Sequence, residues 1–360
     1  MRVLLTVLLF AAAARPQDIT RPPRDFERDR AEAVRQGLDY LAREQRRDGS
    51  WCGSDDDGGV VGITALSVLA FLSQGHQEGF GPYAAFNGQG DVVRRAVDYL
   101  LKHSTTTVRQ GKPPGFIFAE EDADSRMHGH GYATQALVLV YGTGRADAAR
   151  ERELKEKIRL AVKVIEDSQT ITGGWGYEPN SATMHEGSVT VTVVQALRLA
   201  ADAGFTVDRE VQERGLKYLR DSQRSDGSFK YSHMADTSTP ALTAAALTAM
   251  HGFGEYYSSS ITKGLEYLAN AYRGGLDRLQ WEYYCHYYAA QAFYRAGGSH
   301  WEIWKQEGLP RLLAQQRREG FWDDKLSASS QRGTFGRPYA TACAVLALSV
   351  DEGYLPIFQR

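Results

Sequence analysis

Two kinds of helical segment alternate along nearly the whole chain. In the first kind, apolar residues recur at i, i+3 and i+4 with charged residues between them, as in a helix with one face in water. The segments of this kind are 37–41, 96–100, 161–165, 215–219, 264–268 and 308–312. The pattern predicts six amphipathic helices.

The second kind carries few charges and many small residues. A helix that is apolar nearly all round is buried on both sides. Segments of this kind are 63–72, 132–142, 189–200, 240–250, 287–298 and 339–350. Thr239 followed by Pro240 fits a helix N-cap and first position, and Gly75, Gly204 and Gly298 fit helix ends. We therefore expect six buried helices, each following an amphipathic one.

A short motif of glutamine, three residues, glycine, one residue and an aromatic residue follows four of the amphipathic segments. It occurs at 45–51 (QRRDGSW), 169–175 (QTITGGW) and 316–322 (QRREGFW), and at 223–229 (QRSDGSF) with phenylalanine in the last place. Its glycine is suited to a turn. Self-similarity of this kind indicates a repeat protein built from helix pairs.

The second and fifth repeats depart from the motif. The second contains a long insert at 104–126 with PPGFIF in the motif's place, and the fifth has RGGLDRLQW at 273–281. Open helical repeats need polar terminal caps, but the first and last buried helices here resemble the middle ones. Ring closure satisfies them better. The sequence thus predicts an all-α fold, an (α/α)6 toroid of six helical hairpins over residues 31–360, with the apolar helices inside.

The N-terminus resembles a targeting segment. Arg2 precedes an apolar run at 3–10, and alanines at 11–14 offer a cleavage site, which predicts a signal peptide at 1–14 and export to the periplasm or the extracellular space. A retained anchor is the alternative. Residues 15–30 are rich in proline and arginine and predict a flexible leader. No later apolar run is long enough to span a bilayer.

The repeated motif resembles the QW motif of squalene and oxidosqualene cyclases and the related repeats of protein prenyltransferase β subunits. The resemblance extends from about Val34 to Val350. It implies a terpenoid cyclase-like toroid, in which the glutamine and tryptophan tie adjacent outer helices together. It therefore implies a structural role for these motif residues rather than a catalytic one.

Charge and cysteine content narrow the partners. A formal net charge of -2 gives no electrostatic case for binding nucleic acid or an anionic membrane. Cys52, Cys285 and Cys343 are too few and too dispersed for a disulfide framework, so we expect small buried residues.

The loops that enter the inner helices are the places where chemistry is expected, because in a toroid they meet at one mouth of the cavity. Four of these six loops carry histidine. The candidate ligand-binding residues are His128, His130, His185, Glu186, Glu282, Tyr284, Tyr287, Arg337 and Tyr339. The other interpretation is that these loop residues are solvated and that the aromatic side chains of the fifth repeat serve helix packing.

The acid motif of the class II cyclases is largely missing. Those enzymes resemble one another in D-x-D-D-T-A, whose central aspartate protonates an alkene or epoxide. The nearest match is at 233–237, where only Asp236 and Thr237 survive and Ala235 stands at the proton-donating position. A lone aspartate is too weak an acid for an alkene. Asp55, Asp56 and Asp57 are more typical of a solvated turn.

The residues that two other chemistries of this fold require are also missing from the sequence. Zinc prenyltransferases hold their metal with D-x-C and a later histidine, whereas this chain has D-x-S at 236–238 and His286. Serine is a poor zinc ligand, so we expect no metal and no cofactor. Cys52 lies in WCGSDD and not in the G-C-G-E-Q of thioester domains.

The sequence therefore favours an exported toroid that binds a hydrophobic, isoprenoid-like small molecule or a peptide without the usual cyclase chemistry. The alternative is an enzyme acting on an isoprenoid or lipid, with Asp236 and His286 as its candidate catalytic residues. A scaffold that binds other proteins on its outer surface is a third possibility.

Overall fold

The structure is a computed structural model that describes residues 26–53, 59–122, 125–179, 181, 184–275, 279, 281–324 and 335–359. The predicted signal peptide (1–14), most of the predicted leader, and Asp55, Asp56 and Asp57 lie outside these residues. The first helix begins at Phe26, so the last part of the predicted leader, 26–30, is helical.

Six nearly apolar helices form the inner wall. They are α2 (Val61–Leu72), α4 (Arg126–Gly142), α6 (Gly187–Asp202), α8 (Pro240–Gly252), α10 (Glu282–Ala296) and α13 (Gly336–Leu348). Every residue of α2 is buried, which agrees with the prediction of helices covered on both sides. Thr239 caps α8 through its hydroxyl, which accepts from the Leu242 N–H.

The outer helices are amphipathic. They are α1 (Phe26–Glu44), α3 (Val92–Lys102), α5 (Ala148–Asp167), α7 (Arg209–Asp221), α9 (Ser259–Arg273) and a divided sixth element, α11 (Gly298–Ile303) and α12 (Leu309–Gln315). A π-helical turn at Trp304–Gly308 joins α11 to α12. It precedes Pro310, which has no N–H to continue the α-helical pattern.

The ring is closed. Each inner helix packs on the next in the order α2, α4, α6, α8, α10 and α13, and α13 packs on α2 and α1. The predicted all-α toroid is thus confirmed. One departure is a short hairpin of β1 (Lys230–Ser232) and β2 (Ala235–Ser238), in a stretch that the sequence analysis assigned to a loop.

The motif glutamines link neighbouring outer helices. The Nε2 atoms of Gln45, Gln169 and Gln223 each donate to the carbonyl of the motif glycine and to a carbonyl near the start of the next outer helix, at distances of 2.8 to 3.1 Å. Gln316 does the same to Ala33 of α1 at 2.8 Å and so joins the last repeat to the first. The predicted structural role of the glutamine is confirmed.

The motif tryptophans hold their own hairpin together. The indole N–H groups of Trp51, Trp175 and Trp322 donate to carbonyls of the preceding outer helix at 2.7 to 2.8 Å. Their backbone N–H groups donate to a threonine hydroxyl in the first turn of the following inner helix. Each tryptophan therefore fixes the start of an inner helix, which is where the loops of the mouth begin.

The motif glycine is required by both conformation and space. Gly173 has φ of 89°, and a Cβ at this position would overlap the backbone of Arg214 in α7. The second repeat keeps this feature without the rest of the motif. Gly115 of PPGFIF has φ of 89°, and its Cβ would overlap the backbone of Leu160 in α5.

The two ends of the ring differ. We call the end at which the inner helices begin the upper mouth and the opposite end the lower mouth. At the lower mouth, a C-terminal segment containing a 3-10 turn at Pro356–Phe358 packs against α6. Arg295 of α10 donates to the carbonyls of Thr248 in α8, at 2.9 Å, and of Ile357. Leu355, Ile357 and Phe358 are buried, so the lower mouth is closed.

Two cysteines behave as expected. Cys285 and Cys343 are buried and Cys52 is partly exposed, and all three are free thiols. No helix in the described part of the chain combines the length and the apolar character that crossing a bilayer demands.

Candidate functional site at the upper mouth

The upper mouth contains a cluster of polar side chains contributed by inner helices that are not all neighbours. We define the mouth cluster as His128 of α4, Glu186 and Ser188 at the start of α6, and Tyr284 of α10. Helix α8 lies between α6 and α10 in the ring. The charge of Glu186 nevertheless helps to raise the pKa of Tyr284, after burial as the main cause. Glu186 is therefore close enough to Tyr284 for its charge to act on the phenol.

The third repeat positions Glu186 through its backbone. The Glu186 N–H donates to the carbonyl of Trp175 at 2.9 Å, and the Glu186 carbonyl accepts from the Thr190 hydroxyl at 2.7 Å. The residue is the N-cap of α6 in an extended conformation. Since successive side chains of extended backbone point to opposite sides, His185 is directed away from Glu186.

The Glu186 carboxylate is buried, with only 3% of the residue exposed. Ser188 Oγ donates to Glu186 Oε1 at 2.6 Å, and His128 Nε2 lies 3.1 Å from Ser188 Oγ and 3.4 Å from Glu186 Oε1. Glu186 Oε2 is buried and has no hydrogen-bond partner among the described residues. Burying such an oxygen without a donor is costly, and orphaned groups of this kind are frequent at functional sites.

Aromatic side chains connect this cluster to the outside. Trp281 packs against Phe335 with ring centroids 5.6 Å apart and the ring planes tilted by 36°, and Phe335 packs against Tyr339 at 5.1 Å with a tilt of 54°. We call these three residues the aromatic strip. Trp281 is 48% exposed and Phe335 37%, whereas the pKa of Tyr339 is raised well above its ordinary value, first by burial. The strip thus runs from solvent into the covered part of the mouth.

A layer of tyrosines lies below the cluster. Tyr132 of α4 and Tyr288 of α10 are buried, and their hydroxyl oxygens are 3.0 Å apart. These helices are opposite each other in the ring, so this hydrogen bond crosses the axis. Tyr288 also packs against Tyr284 and Tyr287, with centroids 4.7 and 4.6 Å apart. The site is therefore a mouth with a tyrosine floor and not an open tunnel.

Comparison with known proteins supports the architecture. The sequence model of the squalene-hopene cyclase C-terminal domain matches residues 86–237, which include α3 to α7 and the hairpin. This match covers less than half of the chain, and it lies within the toroid described above. A search of curated proteins gives no match.

Several solved structures share the toroidal fold of this chain. A protein from Actinoplanes is 18% identical, with 89% of this chain and 98% of that chain covered and a TM-score of 0.61. The type II terpene cyclase MstE from Scytonema is 15% identical, with 91% and 100% covered and a TM-score of 0.56. The GH76A alpha-1,6-mannanase from Salegentibacter sp. HEL1_6 is 8% identical, with 91% and 100% covered and a TM-score of 0.63. At these identities the likeness concerns the fold alone.

The candidates His286 and Glu282 lie together, but on the outer side of α10. His286 is fully buried, with Nδ1 2.9 Å from Tyr272 Oη of α9 and Nε2 3.7 Å from Glu282 Oε1. Glu282 accepts from Arg311 and Gln315 of α12. Burial alone would raise the pKa of Glu282, but the nearby His286 and the hydrogen bonds from Gln315 and Arg311 outweigh it and lower the pKa to about 2. The pair joins α10 to the outer layer.

Asp236 has a different environment from His286. Its side chain is 77% exposed on β2 and forms ion pairs with Arg224 at 2.5 Å and Lys230 at 3.5 Å. The hydrogen bond from Arg224 is the main reason why the pKa of Asp236 is lowered. A carboxylate that is ionised and solvated is not a strong acid, and the two catalytic candidates share no partner in the described structure.

Two further histidine candidates serve packing. His130 Nδ1 accepts from the Ile117 N–H at 3.1 Å, and its Nε2 donates to the Ala161 carbonyl at 3.1 Å. Burial lowers the pKa of His130 to about 4. His185 Nδ1 lies 2.9 Å from the Tyr218 hydroxyl of α7, away from the lumen.

The remaining candidates divide between surface and lumen. Arg337 is exposed, bonds Asp323 at 3.1 Å and covers the ring of Phe321. Tyr287 belongs to the tyrosine layer, and Tyr339 to the aromatic strip. Of the predicted ligand-binding residues, the structure thus brings His128, Glu186, Tyr284 and Tyr339 to the mouth.

Sequence reasoning missed three residues at this mouth. Tyr132 was taken only as part of an apolar helix and Ser188 only as part of a loop, whereas Tyr288 was among the aromatic residues of the fifth repeat that suggested a cavity wall. Asp324 follows the last motif copy, and burial raises its pKa. Its charge in turn contributes to the raised pKa of Tyr339. The spacing of Ser188 two residues after Glu186 was the one available signal.

One cavity lies away from the upper mouth. It has a volume of ≈ 480 Å³, lies between α3 and α5, and is lined by polar residues such as Lys102, Thr106 and Arg150. Arg150 is already paired with Glu78 and Asp98, each at 2.7 Å. Within the described ranges, no group of three or more histidine, cysteine, aspartate or glutamate side chains is arranged to hold a metal ion.

Proposed function

We propose that the upper mouth binds a hydrophobic, isoprenoid-like small molecule without cyclising it. The observation that carries this proposal is the aromatic strip, in which three rings in contact lead from the exposed Trp281 to the covered Tyr339. Exposed apolar side chains that lead into a concave polar cluster are typical of a ligand site. Met184 and Met234, which are 70% and 85% exposed, extend the apolar surface around the same mouth.

Two considerations support an isoprenoid as the apolar part. Aromatic faces at a covered mouth suit a branched, unsaturated chain better than a polar one. In addition, MstE has been solved in complex with geranylgeranyl dihydroxybenzoate, its substrate, and that structure has a TM-score of 0.54 to this chain. The tyrosine floor limits the depth available, so the apolar part rests at the mouth.

The acidic residues available at the site favour binding without turnover. Alkene protonation needs a carboxylic acid kept protonated by neighbouring carboxyls. Asp236 is ionised on the surface, and Ala235 occupies the place of the proton donor. We therefore expect the toroid to bind its ligand without converting it.

Titration with geraniol tests the proposal. We expect calorimetric binding to the wild-type protein, and a Kd about tenfold higher for Trp281→Ala combined with Phe335→Ala, because each ring contributes about 0.5–1.5 kcal/mol beyond its buried area. Tyr257→Ala is the matched control, since Tyr257 is 97% exposed in the loop before α9, at the lower end. Geraniol recovered after incubation should be chemically unchanged. Absence of binding, or equal binding by the strip variant, would refute the proposal.

A second candidate function is proton-initiated chemistry on an isoprenoid or lipid. One observation favours it: the pKa of Asp324 is raised by burial, and the residue lies close enough to Tyr339 to influence its pKa. This candidate predicts a cyclised or hydrated product from geraniol, detected by gas chromatography with mass spectrometry, and loss of that product in Asp324→Asn. Unchanged geraniol excludes it for this substrate.

A further inference from the structure

The carboxylate of Glu186 lacks a permanently charged partner. Among the described residues, His128 is the only basic side chain within ion-pair distance of Glu186. By contrast, Glu178 of the same mouth pairs with both Arg126 and Lys112. A buried charge normally requires a partner, because desolvation disfavours an isolated ion. The start of α6 and the Ser188 hydroxyl stabilise the charge only in part.

The repeat does not need a carboxylate here. In the third repeat, the residue four positions before the inner-helix threonine builds the helix start through its backbone: its N–H donates to Trp175, and its carbonyl accepts from Thr190. The equivalent residues of the first, fourth and last repeats are Val60, Thr239 and Arg337. A valine, a threonine and an arginine build the same helix start. The carboxylate of Glu186 is therefore dispensable for the repeat.

The surroundings of Glu186 indicate which kind of ligand group would bind to its carboxylate. Its Oε2 atom can accept a hydrogen bond, but none of the described residues donates one. Tyr284, Tyr339 and Tyr132 lie close enough to one another for their charges to affect each other's pKa, and the face of an aromatic ring attracts a cation. A carboxylate and aromatic faces together attract a cation, and they repel an anion.

We propose that Glu186 binds the ammonium group of an amphipathic amine whose apolar part lies along the aromatic strip. This inference rests on the function proposed above and assigns the headgroup of the ligand. The ammonium N–H donates to Oε2, and the side chain of His128, which is 19% exposed, moves aside to admit it. A neutral hydroxyl could donate the same hydrogen bond, but only a cation also neutralises the buried charge.

Three ligands with the same chain and different headgroups test this assignment. Geranylamine, geraniol and geranic acid are titrated at pH 7 against the wild-type protein, Glu186→Gln and the matched control Glu178→Gln. For the wild type we expect geranylamine to bind at least tenfold more tightly than geraniol, and geranic acid to bind most weakly. In Glu186→Gln, the Kd for geranylamine should rise about tenfold while that for geraniol stays within about twofold. Glu178→Gln should behave like the wild type.

The outcomes separate this inference from the proposed function. Equal affinity for geranylamine and geraniol in the wild type would overturn the inference and leave the proposed function standing. Failure of both ligands to bind would overturn both. A selectivity for the amine that persists in Glu186→Gln would also overturn the inference, since another group would then hold the cation. If Glu186→Gln does not fold, the comparison of headgroups in the wild type decides.

Discussion

The two mouths of the toroid are built from the same six inner helices and yet have opposite character. At the lower mouth, Phe358 and Ile357 are buried and Arg295 satisfies two backbone carbonyls. At the upper mouth, Trp281 is half exposed and the buried Oε2 of Glu186 has no described partner. Buried polar atoms without a described partner occur at both ends, since both ring nitrogens of His251 and the Nε atom of Arg295 also lack one. The difference between the two ends is therefore exposure: apolar rings are covered at the lower mouth and open to solvent at the upper mouth.

The largest expected contrast concerns the aromatic residues at the two ends. Phe358→Ala should lower the free energy of unfolding by about 3–5 kcal/mol, because it opens a cavity under a fully buried ring. Trp281→Ala, at the exposed end, should change it by no more than about 0.5 kcal/mol. Chemical denaturation monitored by circular dichroism measures both. Similar losses for the two variants would show that the mouths are equally structural.

The closed end should also be sensitive to acid. Burial is the main cause that lowers the pKa of His251 to about 3, and Arg295 and His300 add repulsion. The unfolded chain binds this proton below about pH 6.5, whereas the folded protein resists it down to about pH 3. Stability is therefore complete above pH 6.5 and falls as the pH decreases toward 3, by a few kcal/mol in order of magnitude.

His251→Gln should flatten this dependence. The free energy of unfolding of the variant should fall less between pH 7 and pH 4.5 than that of the wild type. Part of the dependence should remain, because the pKa of His130 is lowered to about 4 and acts in the same direction. An identical slope in the variant and the wild type would show that His251 is not held neutral by the closed end.

Replacing the charge at the open end should cost little stability. Glu186→Gln keeps the acceptor for Ser188 and removes a buried negative charge, so its free energy of unfolding should lie within about 1 kcal/mol of the wild type or above it. Arg295→Met at the closed end leaves two carbonyls without donors and should lose roughly 2–4 kcal/mol. A loss above about 3 kcal/mol in Glu186→Gln would instead make Glu186 a structural residue.

The smallest effect is expected at the hairpin. Asp236→Asn removes a carboxylate that is solvated on the surface. Neither the melting temperature nor the Kd for geraniol should change beyond experimental error. A clear loss of geraniol binding in this variant would extend the site from the mouth to the hairpin.

The repeat architecture was predictable because its determinants are local. Gln45, Gly49 and Trp51 act on backbone atoms at fixed positions in their own or the next hairpin, so a spacing in the sequence corresponds to a set of contacts. Ring closure depends on the same kind of contact. The last copy of the motif is complete, and its Gln316 side chain donates to a carbonyl of α1.

The orientation of the side chains on the inner helices was not predictable. Helix α10 carries polar residues on two sides, Glu282 with His286 and Gln291 with Arg295, so its polar pattern does not identify the lumen. Glu282 and His286 lie on its outer side, whereas Tyr284 and Tyr288 lie on its inner side. The hairpin that exposes Asp236 depends on pairing between two short strands. No periodicity in the sequence predicts these strands.

The central claim is that a ligand enters at the upper mouth, and the methionine methyl groups can report this directly. Met184 and Met234 are exposed around the upper mouth, whereas Met250 is buried beside His251 near the end of α8. In protein labelled with 13C at the methionine methyl groups, titration with geranylamine should shift the signals of Met184 and Met234 and leave that of Met250 in place. A shift of Met250 without any change at Met184 and Met234 would place the ligand at the lower mouth and contradict the account.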